Sequence, residues 1–204
     1  MFTMKFTLKL LCALLLFSAC KTAQKEEPEF PLYLQKTASE CGPACLKMIS
    51  DFFGSDYSFE TLALISQMKP YEGTSMGNIA DAAELIGLNN LAVKIDYQTL
   101  LDEVPYPAML HWDENHFVVV YNMDKDSIWI ADPAKGYTTY TKKEFLPHWI
   151  VKEATSNLEE GYALLMETTE AFFDARTKIK VHTQSRIEKS KKANETRQSD
   201  AHEN

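Results

Sequence analysis

Three spacings of apolar residues succeed one another along the chain. Leu10 to Phe17 is an unbroken apolar run, too short to cross a bilayer as a permanent helix. From Cys41 to Phe53 the spacing becomes helical: Cys45, Met48, Ile49 and Phe52 recur along one stripe, and Pro43 sits in the first turn, where its missing N–H is not needed. A helix therefore starts at or next to Cys41. Residues 59–66 (FETLALIS) and 76–86 (MGNIADAAELI) read as two more, the second with Ser75 as N-cap and Gly87 as its stop. From Leu91 onward the spacing shifts toward two. β-Branched residues gather in LAVKID, AMLHW, HFVVVYNM, SIWIAD and GYALLME, punctuated by Pro105, Pro107, Asp124-Lys125-Asp126 and Asp132-Pro133. Helices first and strands afterward, with hairpin-length breaks, predict an α+β domain whose N-terminal helices pack on a mainly antiparallel sheet.

Composition narrows the classes. In 204 residues, 45% hydrophobic and 11% aromatic side chains are enough to bury a core. A net charge of −8 repels polyphosphate and argues against nucleic acid as a partner. Four cysteines are too few for a disulfide scaffold, so each must be weighed singly. Lys5 and Lys9 introduce the apolar run and small Ser18 and Ala19 close it before Cys20, the pattern of a secretory signal. With Leu16 four residues before Cys20, the segment resembles the lipobox of bacterial lipoproteins, although Phe17 stands where an aliphatic residue is usual. That resemblance implies lipidation at Cys20, loss of Cys12 with the cleaved piece, and a membrane-anchored lipoprotein of the cell envelope, on its periplasmic or outer-membrane face. An uncleaved N-terminal anchor is the alternative. Residues 174–204 hold eight basic and five acidic side chains, and after Val181 only Ile187 is a large aliphatic. The expected organisation is a signal segment at 1–19, a polar tether at 20–29, one domain at 30–170 and a charged tail at 171–204, partly helical or disordered.

Candidate chemistry begins at Cys41. Free N–H groups and the positive end of the dipole at a helix N-terminus favour thiolate over thiol, although a lone cysteine is more often a small core residue. Cys45, four residues on, shares its helix face at a separation of ~5–6 Å between Cβ atoms, too wide for a disulfide, and reads as core. A cysteine nucleophile needs a base, and His116 offers one at the start of an apolar strand. His111 does not complete an HExxH spacing, so no metal and no other cofactor is expected. If strands 116–123 and 126–132 pair as a hairpin, Asp132 returns to His116 and can orient its ring. Asp-Pro is equally a common strand end. Gln35, six residues before Cys41, can donate its amide to an oxyanion.

These residues stand in QKTASECGPACLKMI, GTSMGNIADAAELIG, PAMLHWDENHFVVVYNMDKDSIWIADPAKG and KKEFLPHWI. Together the four segments resemble the double-glycine leader peptidase domain of bacteriocin-exporting ABC transporters, a papain-like cysteine peptidase, over roughly residues 30–168. The resemblance implies Cys41 as nucleophile, His116 as general base and acid, Asp132 as the residue orienting it and Gln35 as oxyanion donor, with cleavage after a Gly-Gly pair of a peptide leader. Glu40 replaces the Asp often found before the cysteine. The segments for membrane helices and an ATPase are not in this sequence, so the expectation is a free-standing peptidase that acts on leader-bearing peptides beside a separate ABC exporter. Two other functions remain to be weighed: a peptidoglycan-directed cysteine hydrolase, and a non-catalytic module that binds leader peptides for an export system.

Overall fold

The structure, a computed structural model, describes residues 30–151 and 159–172. The expected signal segment, Cys20, the tether and the tail beyond Phe172 lie outside the described residues. Helix α1 (Cys41–Phe52) starts at Cys41, directly after a 3-10 turn at Ala38–Glu40. Glu40 closes that turn, its carboxylate accepting from the backbone N–H groups of Lys36 (2.6 Å) and Thr37 (3.3 Å). Helices α2 (Phe59–Ile65) and α3 (Met76–Leu85) are each capped by a serine: Ser58 Oγ accepts from the Thr61 N–H and Ser75 Oγ from the Asn78 N–H. Gly87 ends α3 at φ 85°, and a Cβ there would come within 2.6 Å of the Phe172 backbone. Only glycine suits both demands.

Six strands form one sheet: β1 (Leu88–Asp96), β2 (Ala108–Trp112), β3 (His116–Met123), β4 (Ile128–Asp132), β5 (Gly136–Tyr140) and β6 (Glu160–Thr168). Their spatial order is β1-β6-β2-β3-β4-β5, and every neighbouring pair is antiparallel. Strand β6 thus inserts between β1 and β2. Two helices absent from the sequence reading complete the fold, α4 (Tyr97–Asp102) after β1 and α5 (Lys142–Trp149) after β5. Both are short, and Pro147 interrupts the apolar pattern of α5. That helix forms because Thr141 and Glu144 close a capping box at its start.

Alternation weakens in the middle of the sheet because both faces are covered. Along β3, Phe117 and Val119 join the core beneath α1, α2 and α3, while Val118 and Val120 join a second core beneath α4 and α5. Phe117 to Val120 are all buried, so a strand with two buried faces appears in sequence as a continuous apolar run. Strand β6 serves both cores, with Leu164 and Met166 in the first and Ala163 in the second, where it packs with Trp149. The Trp149 indole lies against Gly161, where a Cβ would come within 2.4 Å of the ring, and its Nε1 donates to the Tyr162 carbonyl (3.1 Å). Among the described residues no helix is long and apolar enough to cross a membrane.

Candidate active site

Helix α1 packs across β3, which brings its first residue to the strand end that carries His116. Cys41 is 6% exposed and its thiol interacts with the His116 ring. On the other side of that ring, Nε2 of His116 lies 2.8 Å from Asp132 Oδ1. With Nε2 occupied, Nδ1 is the ring nitrogen left for the sulfur. Cys41, His116 and Asp132 therefore meet at one rim of the sheet.

The β3–β4 hairpin makes this meeting by an extra residue. At its tip Asp124 Oδ1 accepts from the N–H groups of Asp126 and Ser127 (2.8 Å each), an Asx turn that sets the strands off in register Met123↔Ile128 and Asn122↔Trp129. A β-bulge at Tyr121 shifts the pairing to Val120↔Ile130 and Val119↔Ala131. Continued, the shifted register sets Asp132 opposite Val118, and Val118 shares its side of β3 with His116. Without the bulge Asp132 would fall opposite Val119, on the other side of the strand. The inserted residue therefore sets Asp132 on the side of the strand that His116 shares.

Asp132 is 1% exposed. Its Oδ1 also accepts from the Ala134 N–H (2.8 Å), and Lys135 Nζ lies 3.8 Å from Oδ2. Burial alone would raise its pKa, but the hydrogen bonds from His116 and Ala134, with the charges of His116 and Lys135, hold the carboxyl below the usual range. For His116 the balance is reversed. Burial opposes the charged ring, yet hydrogen bonds to Asp132 and Cys41, with the charges of both, push its pKa from 6.5 up to about 9. The ring is thus protonated at neutral pH. Cys45, fully buried one turn after Cys41, packs in the core, and burial, with Cys41 and Asp132 nearby, pushes its thiol pKa well up.

Gln35 lies in the segment before α1. Its backbone N–H donates to the Pro133 carbonyl (2.8 Å), which ties it to the turn that follows Asp132. Its amide oxygen is buried without a hydrogen-bond partner among the described residues. Cys41 opens into a cleft of roughly 340 Å³ lined by Thr37, Ser39, Tyr71, Gly73, Thr74, Asn115 and Phe117. A second cleft shares Thr74, Asn115 and Phe117 and continues past Met76, His111, Glu114 and Tyr162. Spacing alone does not place Gly73-Thr74 at Cys41, since two helices separate them in the chain. His111 packs on Phe117 and Tyr162, and burial lowers its pKa despite nearby Glu114. No group of three or more metal-ligating side chains that could hold an ion occurs among the described residues.

A cysteine at the start of a helix, facing a His–Asp pair on an antiparallel sheet, defines the class of papain-like cysteine peptidases. Residues 29–157 match the family model described as peptidase C39 family, and the chain belongs to that family of cysteine peptidases. It is 34% identical over 120 residues to the lactococcin-G-processing and transport ATP-binding protein LagD of Lactococcus lactis subsp. lactis, covering 56% of this chain and 17% of that protein. To the probable microcin-H47 secretion/processing ATP-binding protein MchF of Escherichia coli it is 32% identical over 110 residues, covering 52% and 15%. The chain thus spans about a sixth of these relatives. Among solved structures it is similar to a double glycine motif protease from an AMS/PCAT transporter in complex with its leader peptide, with TM-score 0.62, 26% identity, and coverage of 72% of this chain and 96% of that one. The peptidase domain of Streptococcus ComA, a bifunctional ABC transporter, gives TM-score 0.59 and 27% identity, covering 69% of this chain and all of that one.

Proposed function

We propose that the chain hydrolyses a peptide bond after a Gly-Gly pair in the leader of a small exported peptide, with Cys41, His116, Asp132 and Gln35 as its catalytic apparatus. The observation that carries the reading is the 2.8 Å bond from His116 Nε2 to Asp132 Oδ1, with the ring's other side turned to Cys41. The Cys41 thiolate attacks the scissile carbonyl carbon, and the electron pair moves to the carbonyl oxygen. The Gln35 amide donates to that oxyanion. His116, protonated at neutral pH, passes its proton to the departing amine as the C–N bond breaks, leaving a thioester on Cys41. The neutral ring then takes a proton from water, whose oxygen attacks the thioester and releases the carboxylate product and the thiolate. Asp132 holds the tautomer and stabilises the imidazolium throughout.

Relatives named as processing and transport proteins support a leader-bearing peptide as the substrate and an ABC exporter as the partner. An export signal ending in a lipidated Cys20 would place the peptidase domain, residues 30–170, at the cell envelope. The test is turnover of a synthetic peptide spanning a Gly-Gly leader end, with a scrambled leader as control. Cys41→Ala should abolish cleavage after Gly-Gly, and cleavage that survives this substitution would refute the reading.

A further inference from the structure

Lys69, Pro70, Tyr71 and Glu72 form a tight turn at the edge of the Cys41 cleft. The Glu72 N–H donates to the Lys69 carbonyl (3.3 Å), and the backbones of Lys69 and Gly73 exchange two hydrogen bonds of 2.9 Å each. Pro70 fixes a negative φ and Tyr71 follows at φ 70°. That combination belongs to a type II turn, whose third position suits glycine and strains any residue with a Cβ. Packing does not offset the strain, because the Tyr71 side chain is 102% exposed. The turn is nonetheless fixed. Lys69 and Glu72 pair across it at 3.1 Å, and Thr74 Oγ1 donates to the Ser66 carbonyl at 2.6 Å. Gly73, at φ 79°, lies close enough to Ser39 that a Cβ would sit 3.6 Å from its carbonyl oxygen. Ser39 is two residues from Cys41. A bare aromatic ring thus stands, on a backbone conformation the fold does not require of it, at the edge of the cleft into which Cys41 opens.

We propose that Tyr71 is a specificity-determining residue whose ring closes over the extended peptide that enters the Cys41 cleft. The inference rests on the reading of Cys41 as the peptidase nucleophile and adds to it the group that recognises the residues at the scissile bond. An aromatic face lies flat on a peptide backbone only where no side chain lifts it away, so the ring favours glycine there. Affinity and stability should move in opposite directions when it is removed. Tyr71→Gly takes away the ring and the strain together, while Tyr71→Phe keeps both.

The experiment measures binding of a fluorescein-labelled synthetic peptide, spanning a Gly-Gly leader end, to Cys41→Ala, Cys41→Ala with Tyr71→Gly, and Cys41→Ala with Tyr71→Phe. Loss of the ring should weaken binding about tenfold, leave Tm unchanged or higher, and erase the preference over a peptide with Ala-Ala in place of Gly-Gly. Tyr71→Phe should bind as the parent does. Equal affinities with and without the ring overturn the proposal, as does a parent that fails to bind the probe. A fall in Tm accompanying the loss of affinity also overturns it, because the ring would then be structural. Turnover by the chain with Cys41 intact judges the underlying reading separately. Turnover with equal affinities removes the role of Tyr71 and leaves the peptidase standing, while a tenfold affinity difference without turnover does the reverse.

Discussion

Asp132→Asn keeps the shape of a nearly inaccessible side chain and removes its charge. His116 titrates at about 9 in the folded chain against an ordinary 6.5, so between these pH values the folded state holds a proton that the unfolded state has released. Its contribution to stability is fully present below pH 6.5 and is lost as pH rises through about 9. At about 1.4 kcal/mol for each tenfold change in proton affinity, that contribution is about 3 kcal/mol. Asparagine withdraws the hydrogen bond and the charge of Asp132, and leaves burial, which opposes protonation, balanced only by Cys41. The variant's ring should titrate well below that of the parent, and most of the pH-dependent loss of stability should disappear. Urea unfolding of both proteins from pH 6 to 10, with the His116 ring protons followed by NMR, measures the two effects together. Parent stability flat across this range, or a ring midpoint indifferent to Asp132→Asn, would refute the argument.

Three further outcomes are expected. Gln35→Ala should lower kcat by about 10²- to 10³-fold with little change in peptide affinity, because an oxyanion donor acts chiefly in the transition state; a change confined to KM would assign Gln35 to binding instead. Gly161→Ala drives a methyl to within 2.4 Å of the Trp149 ring and should destabilise the fold by roughly 1–3 kcal/mol, read as a drop in Tm. In a bacterial host the parent chain should partition into detergent after losing residues 1–19, whereas Cys20→Ala should remain uncleaved or soluble; identical behaviour of the two would remove the proposed lipid anchor.

The sheet explains why the site sits where it does. Strand β3 lies between β2 and β4 in the interior of the sheet, covered on both faces, and α1 packs across it. Cys41 on the helix and His116 on the strand are then held by two largely buried elements of the domain. The groups that surround the cleft come instead from turns: Ser39 before α1, Gly73 and Thr74 before α3, and Asn115 between β2 and β3. Such turns tolerate variation around a rigid pair.

Local physics made much of this legible in the sequence. The start of α1 at Cys41, the Ser75 cap of α3, and the strand beginning at His116 each follow from residues within a few positions of one another, where caps, turn formers and apolar spacing act directly. The hairpin that returns Asp132 to His116 was readable for the same reason, since Asp124-Lys125-Asp126 is a turn by its own chemistry. Other features depended on contacts distant in sequence. β5 carries no aliphatic stripe and exists because β4 offers it an edge, and α5 tolerates Pro147 because Trp149 is held against Gly161 of β6. The bulge at Tyr121 that puts Asp132 on the side of His116 has no sequence signature, since both registers satisfy the same turn. Nor does spacing reveal that Tyr71 and Cys41 line one cleft: thirty residues separate them, and the packing of the Lys69–Gly73 turn near Ser39 brings the two to it. The sequence by itself determined which groups could do chemistry, because side-chain type and helix or strand ends are local. The tertiary structure alone decided which of them meet and what protons they carry, because register, burial and neighbouring charge are properties of the packed chain.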